Sequence, residues 1–137
     1  MASFILTPKK VNAVHELIDD KLIRAGVKKV MIIDEAGNII TECGHDPAIT
    51  DPTALAALTA ANFGATAQIA RLIGEEDFTL LFHKGENSSM YFLRLDEELI
   101  MLSIFSDEVS LGLIRCRADE LLTPVKNILK GSDNGIN

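Results

Sequence analysis

Hydrophobic positions first recur at helical spacing at Val11, Val14, Leu17, Ile18, Leu22 and Ala25, with Lys9, Lys10, Glu16, Asp19 and Lys21 taking the remaining directions. Thr7 and Pro8 supply an N-cap and a first helical residue, Leu6 and Val11 are placed to staple across that cap, and Gly26 supplies the stop. From residue 27 the pattern changes. Residues 27–34 and 38–43 read as two strands about the tight turn Asp34-Glu-Ala-Gly-Asn38. The run Val30–Ile33 carries no polar alternation, so this strand is expected to be covered on both faces. A loop at 44–50 leads to a second cap-plus-proline pair, Asp51-Pro52, and to a helix closing near Gly74. Beyond the acidic loop 74–77, strands are expected at 78–83, 90–95 and 99–105, joined by turns at 84–88 and 96–98. A last helix over 110–130 would bury Leu111, Ile114, Ala118, Leu121, Val125 and Ile128, with Pro124 bending it or breaking its final turns.

The order α-β-β-α-β-β-β-α predicts an α/β fold, a three-layer α/β/α sandwich around a five-stranded antiparallel sheet. Residues 1–130 form one domain in this reading, and residues 131–137 a frayed tail.

The middle helix departs from the ordinary amphipathic pattern. From Pro52 to Ala70 it holds no charged residue, although a surface helix normally keeps a charged face for water. Turning about 100° per residue groups Leu55, Leu58, Ile69 and Ile73, with Leu72, Ala65 and Asn62 alongside, as the expected sheet-facing stripe. The opposite side collects Ala57, Ala60, Ala61, Gly64, Ala67 and Gln68, ending at Arg71. Small side chains allow another backbone to approach closely, and Gly64 in mid-helix costs about 1 kcal/mol relative to alanine. With only two other helices, both needed on the second face of the sheet, this side is expected to meet another polypeptide. A symmetric homodimer is the commonest such arrangement.

Composition narrows the partners. The chain of 137 residues has 47% hydrophobic and 24% charged residues, a globular profile, and a formal net charge of −7. That charge disfavours nucleic acid and anionic membrane surfaces. Thr53, Thr59, Asn62, Thr66 and Gln68 interrupt the uncharged helix, which is therefore not expected to span a bilayer. A first segment, Met-Ala-Ser-Phe-Ile-Leu, too short and without the basic start of a signal peptide completes the expectation of a cytoplasmic protein.

Candidate chemistry is sparse. Cys43 and Cys116 form no CxxC pair, and His15, His45 and His83 are scattered, so neither a disulfide nor a metal site is expected. No phosphate-binding GxxxxGK[ST] loop, no GxSxG, no HExxH and no glycine-rich dinucleotide turn occurs, and no cofactor or catalytic residue is assigned. The pair His45-Asp46 reads as a solvated turn, His83 as a surface or interface residue, and Glu75-Glu76-Asp77 as a solvated loop. Arg71, Arg115 and Arg117 could each meet an anionic partner, though no more specifically than other surface arginines.

Several stretches in order resemble roadblock (dynein light-chain type) domain proteins. They are Leu-Ala-Ala-Leu-Thr-Ala-Ala-Asn at 55–62 continuing to Ala-Arg-Leu-Ile-Gly-Glu at 70–75, Phe-His-Lys-Gly at 82–85, and Ser-Leu-Gly-Leu-Ile-Arg at 110–115. The resemblance covers about residues 8–130 and is strongest to bacterial members that regulate a small Ras-like GTPase. It implies pairing of two copies through the central helix and a sheet edge, with 78–83, including Phe78, Leu80 and Phe82, as the edge strand. It further implies that the dimer engages one GTPase through the small face of the helix, here Ala57, Ala60, Ala61, Gly64, Ala67, Gln68 and Arg71, and promotes hydrolysis without inserting an arginine finger. Gln68 stands where such proteins carry a small residue. A dimeric scaffold that recruits a GTPase or polarity protein without changing hydrolysis is the alternative, and a small-molecule sensor with a polar pocket between helix and sheet a third.

Overall fold

Thr7 does cap the first helix: its hydroxyl accepts from the Lys10 amide at 3.2 Å, and helix α1 runs Pro8–Ile18 before relaxing into a π-helical turn, Asp19–Ile23. The computed structural model describes residues 5–131, so the expectation for residues 132–137 lies outside the described residues. Val14, Ile18 and Leu22 are fully buried, and Gly26 leaves the helix at φ +107, a conformation that favours glycine. Lys10 is not on the solvent side expected for it. It is 4% exposed, and its ammonium donates to the carbonyls of Ile5 at 2.7 Å and Leu129 at 3.3 Å.

Strands β1 (Lys29–Asp34) and β2 (Ile39–Gly44), helix α2 (Pro52–Leu72), strands β3 (Leu80–Lys84), β4 (Ser88–Arg94) and β5 (Leu99–Ser106), and helix α3 (Leu111–Lys130) complete the fold. The antiparallel sheet has the order β2-β1-β5-β4-β3, which leaves β2 and β3 as its edges. β1 and β5 lie inside and are buried on both faces, as the unbroken apolar run at 30–33 required. Alternation along β5 builds two cores. Leu99, Met101 and Phe105 pack with α1 and α3, whereas Ile100, Leu102 and Ile104 pack under α2. The three-layer expectation therefore holds, with two helices on one face and α2 alone on the other.

Several boundaries differ from the sequence reading: β1 begins at Lys29 rather than at residue 27, and β4 spans Ser88–Arg94 rather than 90–95, which shortens the turn expected at 84–88. The strand expected at 78–83 begins only at Leu80; Phe78 precedes it, its amide bonded to the Asp77 carboxylate at 2.7 Å. Pro124 does not break α3, which continues as α-helix to Lys130. Burial of Leu121, Val125 and Leu129 against the first helix holds the turn that the missing amide would weaken.

Candidate protein-interaction surface

Helix α2 meets the sheet along one narrow line: Ala56, Thr59, Phe63 and Ala70. The Phe63 ring stands edge-on to Phe92, centroids 6.0 Å apart, and fills the space between the layers. This corrects the expected sheet-facing stripe. Leu58, Ile69, Leu72 and Ile73 are 69%, 53%, 86% and 68% exposed, and only Leu55 is partly buried. Large aliphatic size suggested a buried stripe; one aromatic and three small residues carry the contact instead, rotating the helix by roughly 100°, the turn of one residue.

The rotation gives α2 two free sides. One is an apolar ridge of Leu58, Ala61, Ala65, Ile69 and Leu72, with the four at 58, 61, 69 and 72 exposed and Ala65 exposed between them. It lies towards β3, since Leu55, Leu58 and Asn62 share a depression with His83 and Met90. The other is the small-residue face. Ala60, Gly64, Ala67, Gln68 and Arg71 form one wall of a groove of about 500 Å3, floored by Phe63 and Ile100 and closed opposite by Glu35 and Glu97. Ala57 and Ala61 flank this wall and are exposed. A Cβ added at Gly64 would meet nothing within 4 Å, so among the described residues no helix packs on that face.

The groove is held in shape from below. Arg94 lies 5.1 Å above the Phe63 ring, donates to the carbonyls of Asp96 at 3.4 Å and Glu97 at 3.2 Å, and places Nε 3.0 Å from an Asp77 carboxylate oxygen, close in distance but off the N–H direction. It thereby ties α2, the loop before β3 and the β4–β5 turn together. The β1–β2 turn closes the other end: Gly37, at φ +91, comes so near Ala57 that a Cβ would sit 2.9 Å from its Cα. Among the described residues, Glu35 and Glu97 on the rim and Arg71 on the helix form no ion pair, so the groove presents two carboxylates and one cation to whatever enters it.

The edge strand adds a second apolar element. Phe82 is 37% exposed and stacks on Phe105 with centroids 6.4 Å apart. Lys84 pairs with Asp107 at 2.9 Å, and Leu80 packs into the core beneath.

Other candidates resolve into structure. The Asp46 carboxylate accepts from the Ala48 amide at 3.0 Å and shapes its own turn. His15 bonds Thr41 between α1 and β2, and the His83 ring lies edge-on to Phe92. Cys43 is buried, and burial pushes its thiol up to about 12, with Asp19 adding to the shift. Among the described residues no group of His, Cys, Asp or Glu converges to hold a metal, and no helix is long and apolar enough to cross a membrane. Arg94, Glu35, Glu97 and Ile100 escaped the sequence reading. They are distant in sequence, and an arginine closing a strand carries no local mark of the groove it supports.

Helix α2, without a charged residue from Pro52 to Ala70, thus lies alone on one face of a five-stranded antiparallel sheet, between a small-residue groove and the edge strand β3. The chain belongs to the Roadblock/LC7 domain family, whose sequence profile matches residues 14–105. Among solved structures it is similar to MglB of Myxococcus xanthus, 34% identical, covering 90% of this chain and 97% of that one with a TM-score of 0.78. The gliding protein MglB of Thermus thermophilus is 23% identical, with coverage of 94% and 97% and a TM-score of 0.86. An MglB with a tetrameric arrangement is also 23% identical, with coverage of 94% and 96% and a TM-score of 0.87.

Proposed function

We propose that this chain is a homodimeric, non-enzymatic regulator of a small Ras-like GTPase, and that the GTPase docks on the small-residue face of α2. The observation that carries the reading is Gly64. A mid-helix glycine costs stability, and here none of the described residues fills the space beside it. The groove along Ala60, Gly64 and Ala67 is preformed by Arg94 and offers a close approach to a second backbone. Similarity to MglB structures, one of them a tetramer, supports both self-association and a place among roadblock-domain regulators. A role in motility accords with the name of the gliding relative.

The mechanism needs a surface rather than a catalytic side chain. Hydrolysis requires an ordered water, Mg²⁺ and compensating positive charge, all of which the GTPase can supply. A partner that binds the competent switch conformation more tightly raises its population by the ratio of its two affinities. Phosphate release from a GTP-loaded Ras-like GTPase of the same cell tests the reading. Wild-type protein accelerates release, and Gly64→Arg, which has open space to fold into, weakens the acceleration about tenfold or more. Equal acceleration by that variant removes the proposed surface. Binding without acceleration at saturation replaces the activator with a recruiting scaffold.

A further inference from the structure

The turn between β4 and β5 carries three consecutive carboxylates, Asp96, Glu97 and Glu98, of which only Glu97 lines the groove. The other two are engaged from the α3 side. There the Lys130 ammonium lies 2.8 Å from one Asp96 oxygen and 3.3 Å from a Glu98 oxygen. All three of these side chains are a quarter exposed or less, so salt screens their attraction little. The second Asp96 oxygen accepts the Glu98 amide at 2.8 Å and the Leu99 amide at 2.9 Å, folding the turn around its own first carboxylate. Lys130, the last residue of α3, thereby holds the turn from one side.

Arg94 holds it from the other, through the carbonyls of Asp96 and Glu97 rather than through their carboxylates. Aimed at the carbonyls, the guanidinium stays over the Phe63 ring and beside Asp77. The Glu98 carbonyl meanwhile accepts the Glu35 amide at 3.0 Å, so the two rim glutamates stand on backbone segments bonded to each other. Rim and floor of the groove therefore depend on one turn whose charges α3 neutralises. Without Lys130, Asp96 and Glu98 would lose their cation next to a guanidinium already bonded to the Asp96 carbonyl. Their attraction would then draw Arg94 off Phe63.

We propose that Lys130 is a positioning residue for the groove: by holding Asp96 and Glu98 from the α3 side, it leaves Arg94 to support Phe63 and Glu97 to face the partner. This rests on the docking face proposed above and adds what keeps that face in shape. The last turn of α3 and the groove are one mechanical unit, linked around the end of the sheet. Whatever takes Lys130 from the turn loosens the groove.

A pair of variants tests the link. Lys130→Met keeps an apolar stem without the charge, and Lys130→Arg keeps a cation. In two-dimensional amide NMR spectra of the free chain, Lys130→Met is expected to shift the signals of Phe63, Gly64 and Ala67 and the Arg94 side-chain Nε–H. Lys130→Arg is expected to return them towards their wild-type positions. Lys21→Met removes the 3.3 Å ion pair with Glu120 on the same helix and is expected to leave those signals in place. Asp96→Asn keeps an acceptor for the amides of the turn, and is expected to move the same groove signals even where Lys130→Met folds poorly. Groove signals unmoved by both Lys130→Met and Asp96→Asn overturn the proposal. So does an equal shift in Lys21→Met, because loss of any charge along α3 would then suffice. Affinity for the GTP-loaded GTPase is expected to fall about fivefold in Lys130→Met and to recover in Lys130→Arg. Unchanged affinity in Lys130→Met, where Gly64→Arg abolishes binding, also overturns it. The spectra need no GTPase, so they judge Lys130 even where equal binding by Gly64→Arg removes the docking face.

Discussion

Gly64 is the residue at which stability and interaction part company. Its backbone is helical and the space beside it is empty, so Gly64→Ala removes the conformational cost of glycine without a clash. The variant is expected to be more stable by about 0.5–1 kcal/mol, read as a higher denaturation midpoint. A fall in stability would show that the glycine serves its own chain. Gly37 is the contrasting case: its left-handed φ and the nearby Ala57 backbone fix glycine for reasons internal to the fold. Sequence alone identified Gly64 as out of place, because an uncharged helix with a central glycine violates local propensity. It could not identify Arg94, whose importance arises from three segments meeting at one guanidinium.

At the scale of elements, periodicity placed every strand and helix in order and missed mainly in rotation. The angular sorting of α2 kept Ala57, Ala60, Ala61, Gly64, Ala67, Gln68 and Arg71 together, and most of these line or flank one groove. It assigned the large residues to the wrong neighbour. Hydrophobicity marks a residue as hidden from water without saying whether its own chain or another hides it. The exposed ridge follows from that ambiguity and supplies its test. Replacing Leu58 and Ile69 together with lysine is expected to leave the chain folded, since neither contributes to the core, while light scattering shows the mass falling to that of one chain. A double variant that unfolds, or one that keeps its partner, contradicts the assignment of the ridge. Pro124 teaches the same lesson from the other side: local propensity argued for a break, and burial of Val125 and Leu129 prevailed.

At the scale of the whole molecule, three groups among the described residues hold their protons more tightly in the fold than their ordinary values allow. Burial raises Cys43 from 9.0 to about 12, with Asp19 adding to it. Burial also raises Tyr91, with Asp119 adding and Arg115 opposing. At Lys130 desolvation pulls down, but the hydrogen bonds and charges of Asp96 and Glu98 together outweigh it and raise the value. All three shifts have one sign. Their contribution is complete below about pH 9 and is lost as pH climbs towards about 12, because the unfolded chain releases these protons first. Denaturant midpoints are expected to fall steadily above about pH 9, and a midpoint that rises there contradicts the shifts.

Lys10 has a consequence of its own. Its buried ammonium is shared by the carbonyls of Ile5 and Leu129, so one charge ties the residues before α1 to the last turn of α3, behind the sheet and away from α2. Lys10→Met would leave the Leu129 carbonyl without this donor and loosen the seam between the first and last helices.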